Sequence, residues 1–433
     1  MDERSIGMSS LLIKNAKLRH QEGLKSILVE NGKITKIAED IKGENFEIID
    51  AMGNLVIPPF VDPHVHMDAV LSVGDLSRAN RSGTLLEAID IWGERKPFLT
   101  KGILKANARE MIKWYVANGV LRVRTHVDCS DPTLLTVESL VEIREEVKDL
   151  IDIQVVAFPQ NGIFTSAEGE ALMRRSLEMG VDVVGGAPHI EYTREDGVRD
   201  VECVYAFAEE FDKLIDIHID ETGDTHSRFV EVMAKENIMR GWQGRAVASH
   251  TTAMHNYNND YAFKLIGNLK RAEMNMVTNP FDNSVLQNRT DGYPRKRGHT
   301  RVDELLARDV NVCIGHDSIM DPWYSMGKGN MIAAANLLAH TAHMNGDDQI
   351  TMLMDMITTK SAKSLLIEDS YGLEEGKPAD IVILDARNDA EAVRLISECL
   401  YVIRKGKVVC KTIPSARILD TGLRPELVDF KLK

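Results

Sequence analysis

The chain has 433 residues, 44% of them hydrophobic and 27% charged, and its 52 basic against 66 acidic residues leave a formal charge of −14. That is ordinary globular composition. The surplus of acid argues against non-specific binding to DNA, RNA or anionic membranes, and it favours a neutral or cationic small molecule over a polyanion. Cys129, Cys203, Cys313, Cys399 and Cys410 are scattered with no CxxC pair. Neither a disulfide framework nor a thiolate zinc site is expected, and a reducing, cytoplasmic compartment fits. The stretch MDERSIGMSS has two acids and no apolar core, so it does not read as a signal peptide. No apolar run reaches the ~18 residues of a membrane span.

In chain order, residues 11–57 read as short strands. LLIKNAKL, SILVENGKITKIAE and EIIDAMGNLVIP alternate apolar and polar residues around NG and GN turns. A different rhythm follows. Eight apolar runs recur with helical patterns between them: PFVDPHVH (59–66), VLRVRTHVD (120–128), IDIQVVAFPQ (151–160), VDVVGGAPH (181–189), LIDIHIDE (214–221), RAVASHT (245–251), MNMVTNP (274–280) and VNVCIGHDS (310–318). Intervening segments such as KANAREMIKWYVANG and GEALMRRSLEMG end in a glycine, as helices do. The far end returns to strands, ADIVILDA (379–386) and LYVIRKGKVV (400–409), the latter turning at Lys405-Gly406.

Eight alternations of β and α predict a (β/α)8 TIM barrel over residues 59–375. Residues 1–58 and 376–433 are expected to pair into a small β-sandwich domain. An open doubly wound sheet is the alternative, and the polar residues decide between the two. Nearly every run ends in one: His64 and His66, His126 and Asp128, Gln160, His189, His218 and Glu221, His250, Asn279, Asp317. In a barrel the C-terminal strand ends converge on one mouth, where catalytic residues gather. Stability alone does not call for such a set.

His64 and His66 form H-x-H, and side chains at i and i+2 share one face of a strand. Two such histidines either hydrogen-bond or bind one divalent metal. With His218 and Asp317 added, three imidazoles and a carboxylate make a donor set suited to Zn2+ or Fe2+.

FVDPHVHMD at the first strand, single histidines at the fifth and sixth and GHD at the eighth resemble the amidohydrolase superfamily. The longer stretches SGTLLEAIDIWGERK, RTHVD, VVAFPQNGI, HIDETGD, ASHTTAMHNYN, YPRKRGHTRV and CIGHDSIMDPWY resemble its bacterial cytosine deaminases, strongly over about residues 58 to 375. The resemblance implies hydrolytic release of ammonia from cytosine or another cyclic amidine. It also implies one divalent metal on His64, His66, His218 and Asp317. The fourth run has no lysine to bridge a second metal, and one metal suffices to bring water's pKa near neutrality.

The same resemblance assigns further roles. Glu221 is the proton shuttle, where position alone also admits a solvated surface residue. His250 orients the attacking water or stabilises developing charge, and Asp317 doubles as its proton acceptor. Gln160 can read a cytosine edge with one donor and one acceptor. Trp323 either stacks over the ring or packs its own loop, and Phe158 stands either behind the residues that touch substrate or as pocket wall. Enteric relatives carry two aspartates after GH, where this chain has Asp317-Ser318. The smaller, neutral Ser318 opens the pocket to a C5 substituent, as in 5-methylcytosine, or to another amidine such as isoguanine or creatinine.

Two rival readings remain: a related amidohydrolase acting on an N-substituted triazine, and an inactive barrel kept as a scaffold. Retention of all four ligands with Glu221 and His250 speaks against the scaffold. His126, His189 and Asp128 are expected behind the ligands, and His226, His255, His299, His340 and His343 on the surface or in helices. Related enzymes are homo-oligomers, so a homo-oligomer acting on a small nucleobase-like molecule is the expected state.

Overall fold

The computed structural model describes residues 10–420, 422 and 424–431; all of the MDERSIGMSS stretch except Ser10 lies outside the described residues. Eight strands form one parallel sheet in chain order: Phe60–Val65, Val120–Asp128, Asp152–Phe158, Val183–Gly186, Leu214–Ile219, Ala246–His250, Asn275–Thr278 and Asn311–Ile314. The first and last meet. Asp317 N–H donates to the His64 carbonyl at 2.8 Å, and His66 N–H donates to the Asp317 carbonyl at 3.2 Å. That contact closes the barrel and excludes the open sheet.

Each strand falls within one of the eight apolar runs. They read as continuous apolar segments because barrel strands are covered on both faces. The covering helices follow from capping and amphipathicity. Thr100 caps Lys101–Ala117 by accepting from Ile103 N–H at 3.2 Å, and the helix buries Leu104, Ala108, Met111, Ile112 and Tyr115. Gly119 ends that segment with φ +78°, a conformation only glycine takes cheaply.

Both chain ends enter one further sheet. Its strand path runs Lys407–Lys411, Cys399–Arg404, Ile381–Leu384, Leu55–Ile57, Leu11–Leu18, Lys25–Glu30, Lys33–Ala38, with Glu47–Asp50 also paired to Leu11–Leu18. The N-terminal part joins the C-terminal part through Val382 opposite Ile57 and Ile383 opposite Val56. Leu11–Leu18 is irregular between Ile13 and Ala16. Its first half pairs with Glu47–Asp50 and its second with Leu55–Ile57. One strand thus serves two sheet segments around a shared core that includes Leu11, Ile13, Ile27, Ile34, Val56, Ile381 and Ile403.

This sheet is tied to the barrel by buried charges. Asp380 accepts from Arg122 at 2.6 Å and from Arg404 at 2.8 Å, while Arg404 also reaches Asp152 at 2.6 Å. No helix among the described residues is long and apolar enough to cross a membrane.

Candidate metal centre and active site

Four side chains converge at the C-terminal mouth. His218 Nε2 lies 3.1 Å from His64 Nε2 and 3.0 Å from His66 Nε2. Asp317 Oδ1 stands 3.5 Å from His64 Nε2 and 3.4 Å from His66 Nε2. An imidazole Nε2 carries either one lone pair or one hydrogen, so His218 cannot bond to both neighbours at once. Its Nδ1 is buried without a partner among the described residues. A cation resolves this crowding. Ligand atoms about 2.1 Å from a tetrahedral centre lie about 3.4 Å apart, near the 3.0, 3.1, 3.4 and 3.5 Å seen here. The donor set therefore fits one divalent ion, with His64, His66, His218 and Asp317 as the residues that would hold it.

Local chain geometry places these groups. Asp62 Oδ1 accepts from the N–H of His64 at 3.2 Å and of His316 at 3.1 Å, and its Oδ2 accepts from Tyr115 at 2.6 Å. One buried carboxyl thus pins the first strand to the eighth; burial pushes it up to about 7. Gly315 is required by close approach, since a Cβ there would lie 2.4 Å from Asn279 Oδ1 and 2.7 Å from His64 Cβ. His250 and Asp317 have φ of +68° and +70°, strained for side-chain-bearing residues. The chain turns sharply at each, at the strand ends where both enter the site.

Behind the ligands lies a polar chain. His64 Nδ1 is 3.0 Å from Ser249 Oγ, Ser249 donates to Asp216 at 2.6 Å, and Arg124 donates to Asp216 at 3.0 Å. The partner on Nδ1 leaves His64 Nε2 facing the cluster. His126 Nε2 is 3.3 Å from Asp216. Burial and the neighbouring His64 lower the His126 pKa to about 3, so it stays neutral.

Glu221 and His250 complete the centre. Glu221 Oε1 is 3.7 Å from His250 Nδ1 and accepts from Gln287 Nε2 at 3.2 Å. Burial, then the Asp317 charge, raises Glu221 well above the carboxylate range. Asn283 Nδ2 stands 3.0 Å from His250 Nδ1 and Asn279 Nδ2 stands 3.3 Å from Nε2. Burial holds His250 well below the usual imidazole range.

Over these residues opens a cavity at the barrel mouth. It is lined by every residue the sequence reading singled out for the site except His64, which sits beneath its floor: His66, Phe158, Gln160, His218, Glu221, His250, Asp317, Ser318 and Trp323. Phe158 stacks on the His218 ring at 4.0 Å, and Trp323 lies 6.3 Å from the His66 ring at 22°. His299, expected on the surface or in a helix, is buried in a loop with both ring nitrogens unpartnered among the described residues.

The sequence reading missed Asp216, Asp282, Asn283 and Gln287. Asp216 shares a strand face with His218 at i−2, the same signal as H-x-H. Asn279, Asn283 and Gln287 recur every fourth residue, which in a helix makes one polar face turned to the site.

The amidohydrolase family profile matches residues 47–410. A 5-methylcytosine deaminase from Klebsiella pneumoniae, solved with phosphonocytosine, is 44% identical with a TM-score of 0.91, over 94% of this chain and 100% of that one. An N-isopropylammelide isopropyl amidohydrolase from Pseudomonas sp. strain ADP is 33% identical, over 93% of this chain and 97% of its own. A pterin deaminase from Rhizobium rhizogenes is 28% identical, over 86% of this chain and 84% of its own.

Proposed function

This chain belongs to the amidohydrolase family, and from that premise we propose that it deaminates a free cytosine-like ring, with 5-methylcytosine and cytosine as the first candidates. It is a hydrolase of C–N bonds in cyclic amidines. The observation that carries the finer reading is a single cavity holding a cation-type donor set, a buried carboxyl at Glu221 and an edge-reading amide at Gln160.

A divalent ion, Zn2+ or Fe2+, when bound by His64, His66, His218 and Asp317, supplies acidity to water and charge stabilisation at the reacting carbon. The chain does the rest. Phe158 and Trp323 wall the planar ring, and Gln160 pairs with its carbonyl and ring N–H. The Asp317 carboxylate accepts one proton from water as the oxygen bonds to the amino-bearing carbon. The Glu221 carboxyl protonates the adjacent ring nitrogen. His250, kept neutral, can accept from Asn283 at one ring nitrogen and donate its single N–H to the oxygen developing on the amino-bearing carbon. Asp317 passes its proton to the amino group, the C–N bond breaks and ammonia leaves. The remaining hydroxyl proton returns to Glu221 and leaves a carbonyl.

The 33% identical relative gives a specific ground for a second reading, removal of an N-alkyl group from a triazine. The released amine separates the two. Metal-reconstituted protein should release ammonia from 5-methylcytosine or cytosine; release of isopropylamine from N-isopropylammelide without deamination of either pyrimidine overturns the proposal. The inactive-scaffold reading predicts neither product. The same proposal takes residues 59–375 as the catalytic barrel, flanked by 1–58 with 376–433.

A further inference from the structure

One acid of the cavity has no task in that chemistry. Asp282 lies in the first turn of Pro280–Leu286, after the seventh barrel strand, and is 1% exposed. It lines the cavity with Gln160, Glu221, Asp317 and Ser318. Its Oδ1 is buried with no hydrogen-bond partner among the described residues. Burial, then the Asp317 and Asp321 charges, raise this carboxyl above the carboxylate range, and a hydrogen bond donated by a bound amino group favours its ionised, acceptor-only form. A buried polar atom left unpaired is costly, so such atoms in native sites commonly meet a ligand.

The remaining polar groups account for most of a cytosine-like ring. Gln160 takes the carbonyl and ring N–H, Glu221 the other ring nitrogen, and Asp317 faces the attacked carbon. The exocyclic amino group still needs an acceptor, and the unpaired Oδ1 near Asp317 and Ser318 has that chemistry. Resting on the functional reading above, we propose that Asp282 is a specificity-determining residue that accepts a hydrogen bond from the substrate's exocyclic amino group. The product bears a carbonyl at that position, which offers no N–H. Asp282 therefore favours the amine-bearing ring over the product.

The test compares wild type, Asp282→Ala and the isosteric Asp282→Asn after metal reconstitution. KM and kcat for 5-methylcytosine are measured with the inhibition constant of thymine, its deamination product. Losing a hydrogen bond to a charged or strongly polar group should raise KM about 10- to 100-fold in Asp282→Ala, with thymine binding unchanged or tighter. Asp282→Asn can turn an N–H toward the product carbonyl, so the ratio of thymine inhibition constant to KM should fall about 3- to 10-fold. A merely structural role moves both ligands together. A ratio unmoved in Asp282→Asn overturns the assignment, whether or not Asp282→Ala folds. Absence of ammonia release by wild type from any cytosine-like ring instead overturns the functional reading, and this assignment with it.

Discussion

The backbone N–H of Asp317 donates to the carbonyl of His64 at 2.8 Å. The bond that closes the barrel therefore joins two of the four residues that would hold the metal. Ion binding and barrel closure use the same few atoms, so they should be thermodynamically coupled.

Removing the ion should accordingly loosen the fold. A ligand at 100 times its dissociation constant stabilises a protein by about 2.7 kcal/mol. Protein loaded with one metal per chain should unfold at a higher temperature than chelator-treated protein. Asp317→Asn should abolish both the metal content and that difference. Elemental analysis beside thermal unfolding measures this; two tightly bound metals per chain, or no thermal difference, would contradict the single-ion site.

Glu221→Gln should keep its metal and lose about 10²–10⁴-fold in kcat. The glutamine preserves shape, but it cannot carry a proton. Metal loss in the variant, or turnover near wild type, would show that Glu221 holds structure and moves no proton.

Ser318→Asp should lower kcat/KM for 5-methylcytosine relative to cytosine by about 10–200-fold. A carboxylate there would crowd a C5 methyl group, and it would also share the cavity with the Asp282 carboxyl. The two kcat/KM values in wild type and variant decide it, and an unchanged ratio means that residue 318 does not face the methyl group.

Asp380→Ala should destabilise the protein by about 3–5 kcal/mol, since Arg122 and Arg404 would be left buried beside an empty position. The two guanidinium groups hold the Asp380 carboxyl below its ordinary range. Its contribution is full above the unfolded value near 4 and is lost as pH falls through the lower folded value. The difference between wild type and variant in denaturant unfolding should shrink on acidification. A difference constant down to strongly acid pH would remove the ion-pair explanation.

The barrel was legible because its strands are covered on both faces and end in polar groups. VLRVRTHVD coincides residue for residue with Val120–Asp128. His64, His66 and His218 were legible because each ends an apolar run. Residues supplied by the helix after the seventh strand were not. Asp282 and Asn283 lie in that helix and Gln287 just beyond it, and nothing in their spacing says whether they meet solvent or a cavity. Asp216 was hidden by its depth, three residues before the strand end at Ile219, where its partners Arg124 and Ser249 come from distant runs. His299 has no metal-ligand spacing and so was expected on the surface or in a helix, while the fold buries its ring.

The central claim, deamination of a cytosine-like ring in this cavity, is tested most directly by kcat/KM for amine release, ammonia from the amino-bearing rings and isopropylamine from N-isopropylammelide. Metal-reconstituted wild type would be assayed on 5-methylcytosine, cytosine, isoguanine, creatinine and N-isopropylammelide side by side. A value of at least ~10⁴ M⁻¹s⁻¹, ordinary for an enzyme on its own substrate, is predicted for 5-methylcytosine or cytosine. Values near background for both pyrimidines, with efficient turnover of N-isopropylammelide or of none, would contradict it.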